Sequence, residues 1–245
     1  MRLSDFKVLT FDCYGTLIDW ESGMIAALKG LTDRVPGLTR EAILEAHARH
    51  EARQQAQTPA MRYSELLAVV HKRLAEEWGV PCSVDESEAY GLSVRDWPAF
   101  PDTAPALAYL KQHFALAILS NVDNRTFAFS NKKLGVTFDA VYTAQDIGSY
   151  KPSDRNFDYM IEHLGHLGLG RSDILHVAES LFHDHLPANR HGLAGCWIWR
   201  RHDQQGFGAT PDPGAMPKID FRFTSMAALA EAHRAEVNGL VSGTE

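Results

Sequence analysis

The chain has 245 residues, 45% of them hydrophobic, with 31 Asp and Glu against 24 Lys and Arg, a net charge of −7 and a pI near 5.9. That length can bury a real core and leaves room for one domain plus an insertion. The acidic balance and the lack of a Lys/Arg run argue against a nucleic-acid or anionic-membrane surface, and no apolar run reaches the ~18 residues a membrane helix needs.

The first predicted element is a buried strand from Lys7 to Phe11 that stops at Asp12. A short apolar run bounded by Gly15 suits an interior strand of a parallel sheet, covered on both faces. Open α/β sheets take ligands at the carboxyl ends of such strands, where Asp12 falls. Two readings of Asp12 stand together: a nucleophile at the mouth of a sheet, or a carboxylate capping a turn before a helix. From about residue 20 to 97, apolar positions recur at three- and four-residue spacing, as in Met24, Ala27 and Leu28 or Leu66, Val69, Val70 and Leu74. This predicts helices only, with Thr39 as an N-cap. The run Asp96-Trp97-Pro98-Ala99-Phe100-Pro101 disfavours helix and strand alike. A helix from Thr103 to Lys111 and a buried strand from Leu116 to Leu119 follow, and the strand ends in Ser120-Asn121, a pair that also serves as ordinary turn chemistry. Ala140 to Tyr142 reads as a third strand, with Tyr150-Lys151-Pro152 in the loop after it. Ile174 to Ala178 reads as a fourth strand running into Glu179-Ser180-Leu181-Phe182-His183-Asp184. A helix at Ala188 to Gly192, a strand at Gly195 to Trp199, a Gly/Pro-rich loop over 207–217, a last strand at Asp220 to Phe223 and an Ala-rich C-terminal helix complete the chain. Alternating strands and helices predict an α/β fold.

Phe11-Asp12-Cys13-Tyr14-Gly15-Thr16-Leu17 resembles the first motif of the haloacid dehalogenase superfamily. Ser120-Asn121, Lys151-Pro152 and the loop from Glu179 to Asp184 resemble its second, third and fourth motifs, in order, over about residues 7 to 200. The resemblance implies a Rossmann-like doubly wound parallel sheet at residues 1–17 and 99–245, with an all-helical cap inserted at 18–98. It implies Asp12 as nucleophile and Lys151 as an ammonium beside it, which would lower the Asp12 pKa. Asp184 would orient Lys151 or activate water. Thr16, Ser120 and Asn121 would orient Asp12 or hold a substrate carboxylate, with Tyr14 and Glu179 bordering the substrate.

Tyr14 stands where phosphatases of this superfamily carry a second Asp that protonates the departing alkoxide. An alkoxide benefits from a general acid by ~10²–10⁴-fold, whereas a halide leaves without a proton. The chain therefore resembles the type II L-2-haloacid dehalogenases, which need no metal or other cofactor. In that reading Asp12 attacks carbon 2 of a short L-2-haloacid, and water cleaves the aspartyl ester to release a 2-hydroxy acid. Three alternatives remain: ring-opening hydrolysis of L-azetidine-2-carboxylate, whose nitrogen departs already protonated; a phosphatase in which Glu179 and Asp184 hold Mg²⁺; and a non-catalytic binding protein on the same fold. Asp12, Lys151 and Asp184 argue against the last, since charges in an apolar site are costly unless paired. The expected partner is a small carboxylate, with no nucleic acid or membrane, and the resemblance also implies a homodimer.

The chain departs from the dehalogenase pattern at Glu179 and Leu181, which stand in place of Ser and Asn, and at Phe157 in place of Tyr. The halide-binding cap arginine has no clear counterpart, the candidates being Arg49, Arg53 and His47. Twelve histidines, among them His183, His185 and His191, form no complete zinc set and read as surface or core. Trp97, Trp197 and Trp199 likewise read as core. Cys13, Cys82 and Cys196 lack metal-type spacing and are expected as reduced thiols in a cytoplasmic protein, since nothing at the start reads as a signal peptide.

Overall fold

Val8–Phe11 (β1) is buried along its whole length in the computed structural model, which describes residues 1–242. Val8, Leu9 and Phe11 are each at most 1% exposed, and full burial of such side chains stabilises by about 1.5–3 kcal/mol apiece. Around β1 lie β2 (Ala115–Ser120), β3 (Ala140–Thr143), β4 (Ile174–Ala178), β5 (Ala194–Ile198) and β6 (Phe221–Phe223), in the order β3-β2-β1-β4-β5-β6. All pairings are parallel. The chain fills one side of β1 with β2 and β3, then the other with β4 to β6. The carboxyl ends of β1, β2 and β4 therefore open on the crevice where strand order reverses, which is where such sheets bind ligands.

Four helices lie between Ile18 and Ala99: α1 (Trp20–Thr32), α2 (Arg40–Gln57), α3 (Tyr63–Glu77) and α4 (Val84–Leu92). The Thr39 hydroxyl accepts from the Ala42 N–H and starts α2, satisfying one of the donors that a helix start leaves free. The chain leaves and re-enters the sheet domain through adjoining segments. Ile18 bridges Ala99, the Asp19 N–H donates to Pro98 O (2.8 Å), and the Phe100 N–H donates to Leu17 O (3.1 Å). Trp97 is 1% exposed and meets Tyr14 edge to face.

The remaining helices are α5 (Thr103–Leu110), α6 (Asn124–Leu134), α7 (Ala144–Ile147), α8 (Asp154–His166), α9 (Leu186–Arg190) and α10 (Met226–Ser242). The helix expected from Ala188 starts earlier. Leu181–His185 already winds as one wide turn, because the Ser180 hydroxyl accepts from the His183 N–H (2.9 Å), and that turn feeds directly into α9. No helix among the described residues is long and apolar enough to cross a membrane.

Candidate active site

The turn after β1 folds tightly. The Leu17 and Ile18 N–H groups both donate to Cys13 O, and Gly15 sits at φ +95°, a conformation that only glycine adopts without strain. This geometry brings Thr16 back over Asp12, so that Thr16 Oγ1 donates to Asp12 Oδ2 (2.8 Å) while accepting from the Glu179 N–H (2.9 Å). The other oxygen, Asp12 Oδ1, accepts from Lys151 Nζ (2.9 Å).

Lys151 is 1% exposed. Its ammonium also donates to Leu119 O (2.8 Å) and Asp184 Oδ1 (2.7 Å), so all three of its N–H donors are engaged. Asn121 holds the Lys151 backbone from both sides: its Oδ1 accepts from the Lys151 N–H (2.7 Å) and its Nδ2 donates to Lys151 O (3.0 Å). Behind Asp184, His176 Nε2 donates to Oδ1 (2.9 Å) and His176 Nδ1 meets Thr10 Oγ1 (2.8 Å). Asp184 Oδ2 is buried without a protein partner.

Burial pushes the Asp12 carboxyl above its usual range, and Asp184 adds to this; the Lys151 and Thr16 hydrogen bonds pull against it without winning. Lys151 lowers Asp12 as expected, but burial in this dry site outweighs it, so the carboxyl ends above its usual range rather than below it. Burial alone would raise Asp184 as well, but Lys151 and His176 together hold it well below the carboxylate range. The two acids of the pair are driven in opposite directions by unequal partners.

Asp12 opens on a small cavity of about 40 Å³ lined by Tyr14, Trp20, Glu51, Gln55, Tyr63, Asn121, Lys151, Ser180, His183, Asp184 and Thr210. The Tyr14 hydroxyl pairs with Ser130 Oγ (2.8 Å), and burial raises its pKa well above normal. Burial also takes His183 down to about 4, leaving it uncharged at neutral pH.

The structure therefore brings Asp12, Tyr14, Asn121, Lys151 and Asp184 to one cavity, with Thr16 beneath. Two expected residues fall outside it. Ser120 Oγ is buried with no hydrogen-bond partner and does not line this space, because Ser120 is still sheet, paired to Thr143. The Glu179 side chain lines the neighbouring cavities with Arg201 and Gln204 instead. Glu179 and Asp184, the pair an Mg²⁺ reading needs, line no common cavity, and among the described residues no three His, Cys, Asp or Glu side chains converge as metal ligands. These residues do not fit the ion.

None of the three cap candidates lines the cavity. Arg49 is exposed and held by Glu77 (2.6 Å), Arg53 is exposed, and His47 is fully buried behind Glu51. Trp197 and Trp199 stack at 5.0 Å along a cavity of about 310 Å³ beside Glu179, rather than lying wholly in the core. Sequence reasoning missed His176, Glu51 and Thr210. A signal for the first existed: Thr10 and His176 are polar residues in two apolar strands, and they are register partners.

A carboxylate with one oxygen on an ammonium and the other on a hydroxyl thus stands at the switch point of a parallel sheet under helices, where open α/β sheets take their ligands. The family model of the haloacid dehalogenase-like hydrolases matches residues 6–184, and the chain belongs to that family. Its fold is that of the L-2-haloacid dehalogenase from Xanthobacter autotrophicus, at 19% identity and a TM-score of 0.73, over 94% of this chain and 98% of that one. The defluorinating L-2-haloacid dehalogenase Rha0230 is alike at 19% identity and a TM-score of 0.75, over 96% and 99%. At such identities the likeness is one of fold. A pyrimidine 5'-nucleotidase of Escherichia coli (strain K12), YjjG, is 34% identical over 74 residues, and the match spans 30% of this chain and 32% of that relative's length.

Proposed function

We propose that Asp12 displaces a leaving group from carbon 2 of a short 2-substituted carboxylate and that water then hydrolyses the aspartyl ester. The observation that carries this reading is the Asp12 carboxylate held between Lys151 and Thr16 at a cavity of about 40 Å³, space for a few heavy atoms only. An Asp12 oxygen forms the bond to carbon 2 while the bond to the leaving group breaks and its electron pair departs with that group. Water adds to the Asp12 carbonyl carbon, and the product leaves as a 2-hydroxy acid carrying the oxygen that Asp12 supplied. Lys151 and Thr16 hold the carboxylate in line, and Asp184 with His176 fixes Lys151. Tyr14, in place of an acid, suits a leaving group that needs no proton.

Short L-2-haloacids are the first substrates of this reading, in keeping with the dehalogenase-like fold. A second reading, a strained-ring nitrogen as in L-azetidine-2-carboxylate, is favoured by Glu51 in the cavity where an arginine would suit a halide. Both are tested by intact mass after a single turnover. Wild type should carry an ester adduct from L-2-chloropropionate or L-azetidine-2-carboxylate, and Asp12→Asn should carry none and lose at least about a thousandfold in kcat, as other nucleophile deletions do. Phosphate release from p-nitrophenyl phosphate on adding Mg²⁺, with no adduct from either carbon substrate, would overturn the proposal.

A further inference from the structure

The part of the Asp12 cavity made by the helical insertion consists of Trp20, Glu51, Gln55 and Tyr63, with Tyr14 from the sheet domain beside them. Glu51 is 7% exposed. Gln55 Nε2 donates to its Oε1 (3.1 Å), and His47 Nδ1 lies 3.4 Å from its Oε2. Among the described residues no Lys or Arg comes within 4.0 Å of the Glu51 carboxylate. The one ammonium in the cavity, Lys151, already has all its donors on Asp12, Leu119 and Asp184. The lining thus carries the carboxylates of Asp12, Glu51 and Asp184 against one lysine. A buried carboxylate whose partners are a glutamine amide and an imidazole, with no Lys or Arg, is costly unless positive charge arrives with the ligand. The same wall presents aromatic rings, Trp20, Tyr63 and Tyr14, the last two 6.4 Å apart, and ring faces attract cations in a desolvated site.

We propose that this cavity selects a substrate with a protonated nitrogen on the carbon that Asp12 attacks, recognised by the Glu51 carboxylate and the rings of Trp20, Tyr14 and Tyr63. The inference rests on the function proposed above for the identity of that carbon. In a strained ring, the Asp12 oxygen bonds to carbon as the carbon–nitrogen bond breaks, and the nitrogen keeps the pair as a neutral amine. The water that later adds to the ester leaves its oxygen on Asp12 and supplies two protons, one to the product's hydroxyl, whose oxygen came from Asp12, and one that recharges the amine. Substrate ammonium and water thus become hydroxyl and ammonium, with no net proton. Positive charge on nitrogen fades as the bond breaks, so Glu51 acts in recognition, on KM more than on kcat. A halide in the same place would meet a carboxylate.

Binding to the Asp12→Asn protein separates these cases without turnover. L-alanine, isobutyrate and L-2-chloropropionate share carbon 2, its methyl and the carboxylate, and differ only in ammonium, methyl or chlorine. Ligand-observed NMR titration should find L-alanine at least tenfold tighter than the other two. Adding Glu51→Gln should erase that preference, and adding Glu51→Asp should keep its order, with melting curves confirming that each variant folds. Equal binding of the three, no binding of L-alanine, or a preference that survives Glu51→Gln would each overturn the inference. The function proposed above is read apart from this, in the Asp12 adduct: an adduct with unselective binding sinks only the cation reading, and selective binding without an adduct sinks only the nucleophile.

Discussion

Asp12 and Lys151 are 139 residues apart and hydrogen-bonded, and their pairing sets the pH response of the site. In the proposed reaction Asp12 must be ionised to attack, and burial raises its pKa. Activity is therefore lost as pH falls through that raised value, and kcat/KM should show an acid limb above the ~3.9 of an ordinary Asp. Lys151, pulled up by two carboxylates against burial, stays cationic on the alkaline side. A pH profile whose acid limb sits at or below 3.9 would contradict this account. At this scale the motif letters were legible, whereas the fates of Ser120 and Glu179 were not. Both sit at strand ends, where one residue of register decides which way a side chain turns.

Among elements, the segment after β5 matters most to the site. Arg200 Nε and Nη2 donate to Thr16 O (3.2 and 3.0 Å), and Arg200 Nη1 pairs with Asp102 (2.8 Å). Its neighbour Arg201 pairs with Glu21 of α1 (2.5 Å), whose other oxygen accepts from the Ala209 N–H (3.1 Å). One loop therefore grips both the Asp12 turn and the first helix of the insertion, and delivers Thr210 to the cavity. Gly208 makes this approach possible: at φ +60°, a Cβ there would stand 1.9 Å from Glu21 Oε1. Gly208→Ala should cost about 1–3 kcal/mol by overpacking, a drop of several degrees in Tm by calorimetry at about 2–4 °C per kcal/mol. An unchanged Tm would show that the contact is slack. The sequence marks 207–217 as a loop through its Gly and Pro content, but its grip on Glu21 spans 188 residues of chain, beyond any local pattern.

The stability of the whole molecule should depend on pH through groups that the site keeps dry. Burial, then Glu21 and Asp12, push Glu179 up to about 8 from 4.5. Between those values the folded chain holds a proton that the unfolded chain has released, so this group's contribution is full below 4.5 and lost as pH rises through about 8. Glu179→Gln removes the titration, and its Tm relative to wild type should be higher at pH 8 than at pH 5; an equal offset at both would refute the assignment. His183 and His185 act with the opposite sign. Burial lowers both to about 4 from 6.5, so their contribution is lost as pH falls across that interval. The two windows overlap from 4.5 to 6.5, where two histidines outweigh one glutamate, so together these groups place the stability maximum near pH 6.5.

The sequence by itself determined the α/β class, the strand that ends at Asp12, the helical character of the stretch before residue 97 and the family motifs. Each depends on periodicity or turn chemistry acting over a few residues. Only the tertiary structure decided that His176 backs Asp184, that Asn121 clamps the Lys151 backbone, that Arg200 holds the Asp12 turn and that Glu51 enters the cavity. A cavity wall is assembled from side chains whose positions are set by helix and sheet packing across the whole chain. On its own helix, a buried glutamate carries no mark distinguishing it from one exposed to solvent.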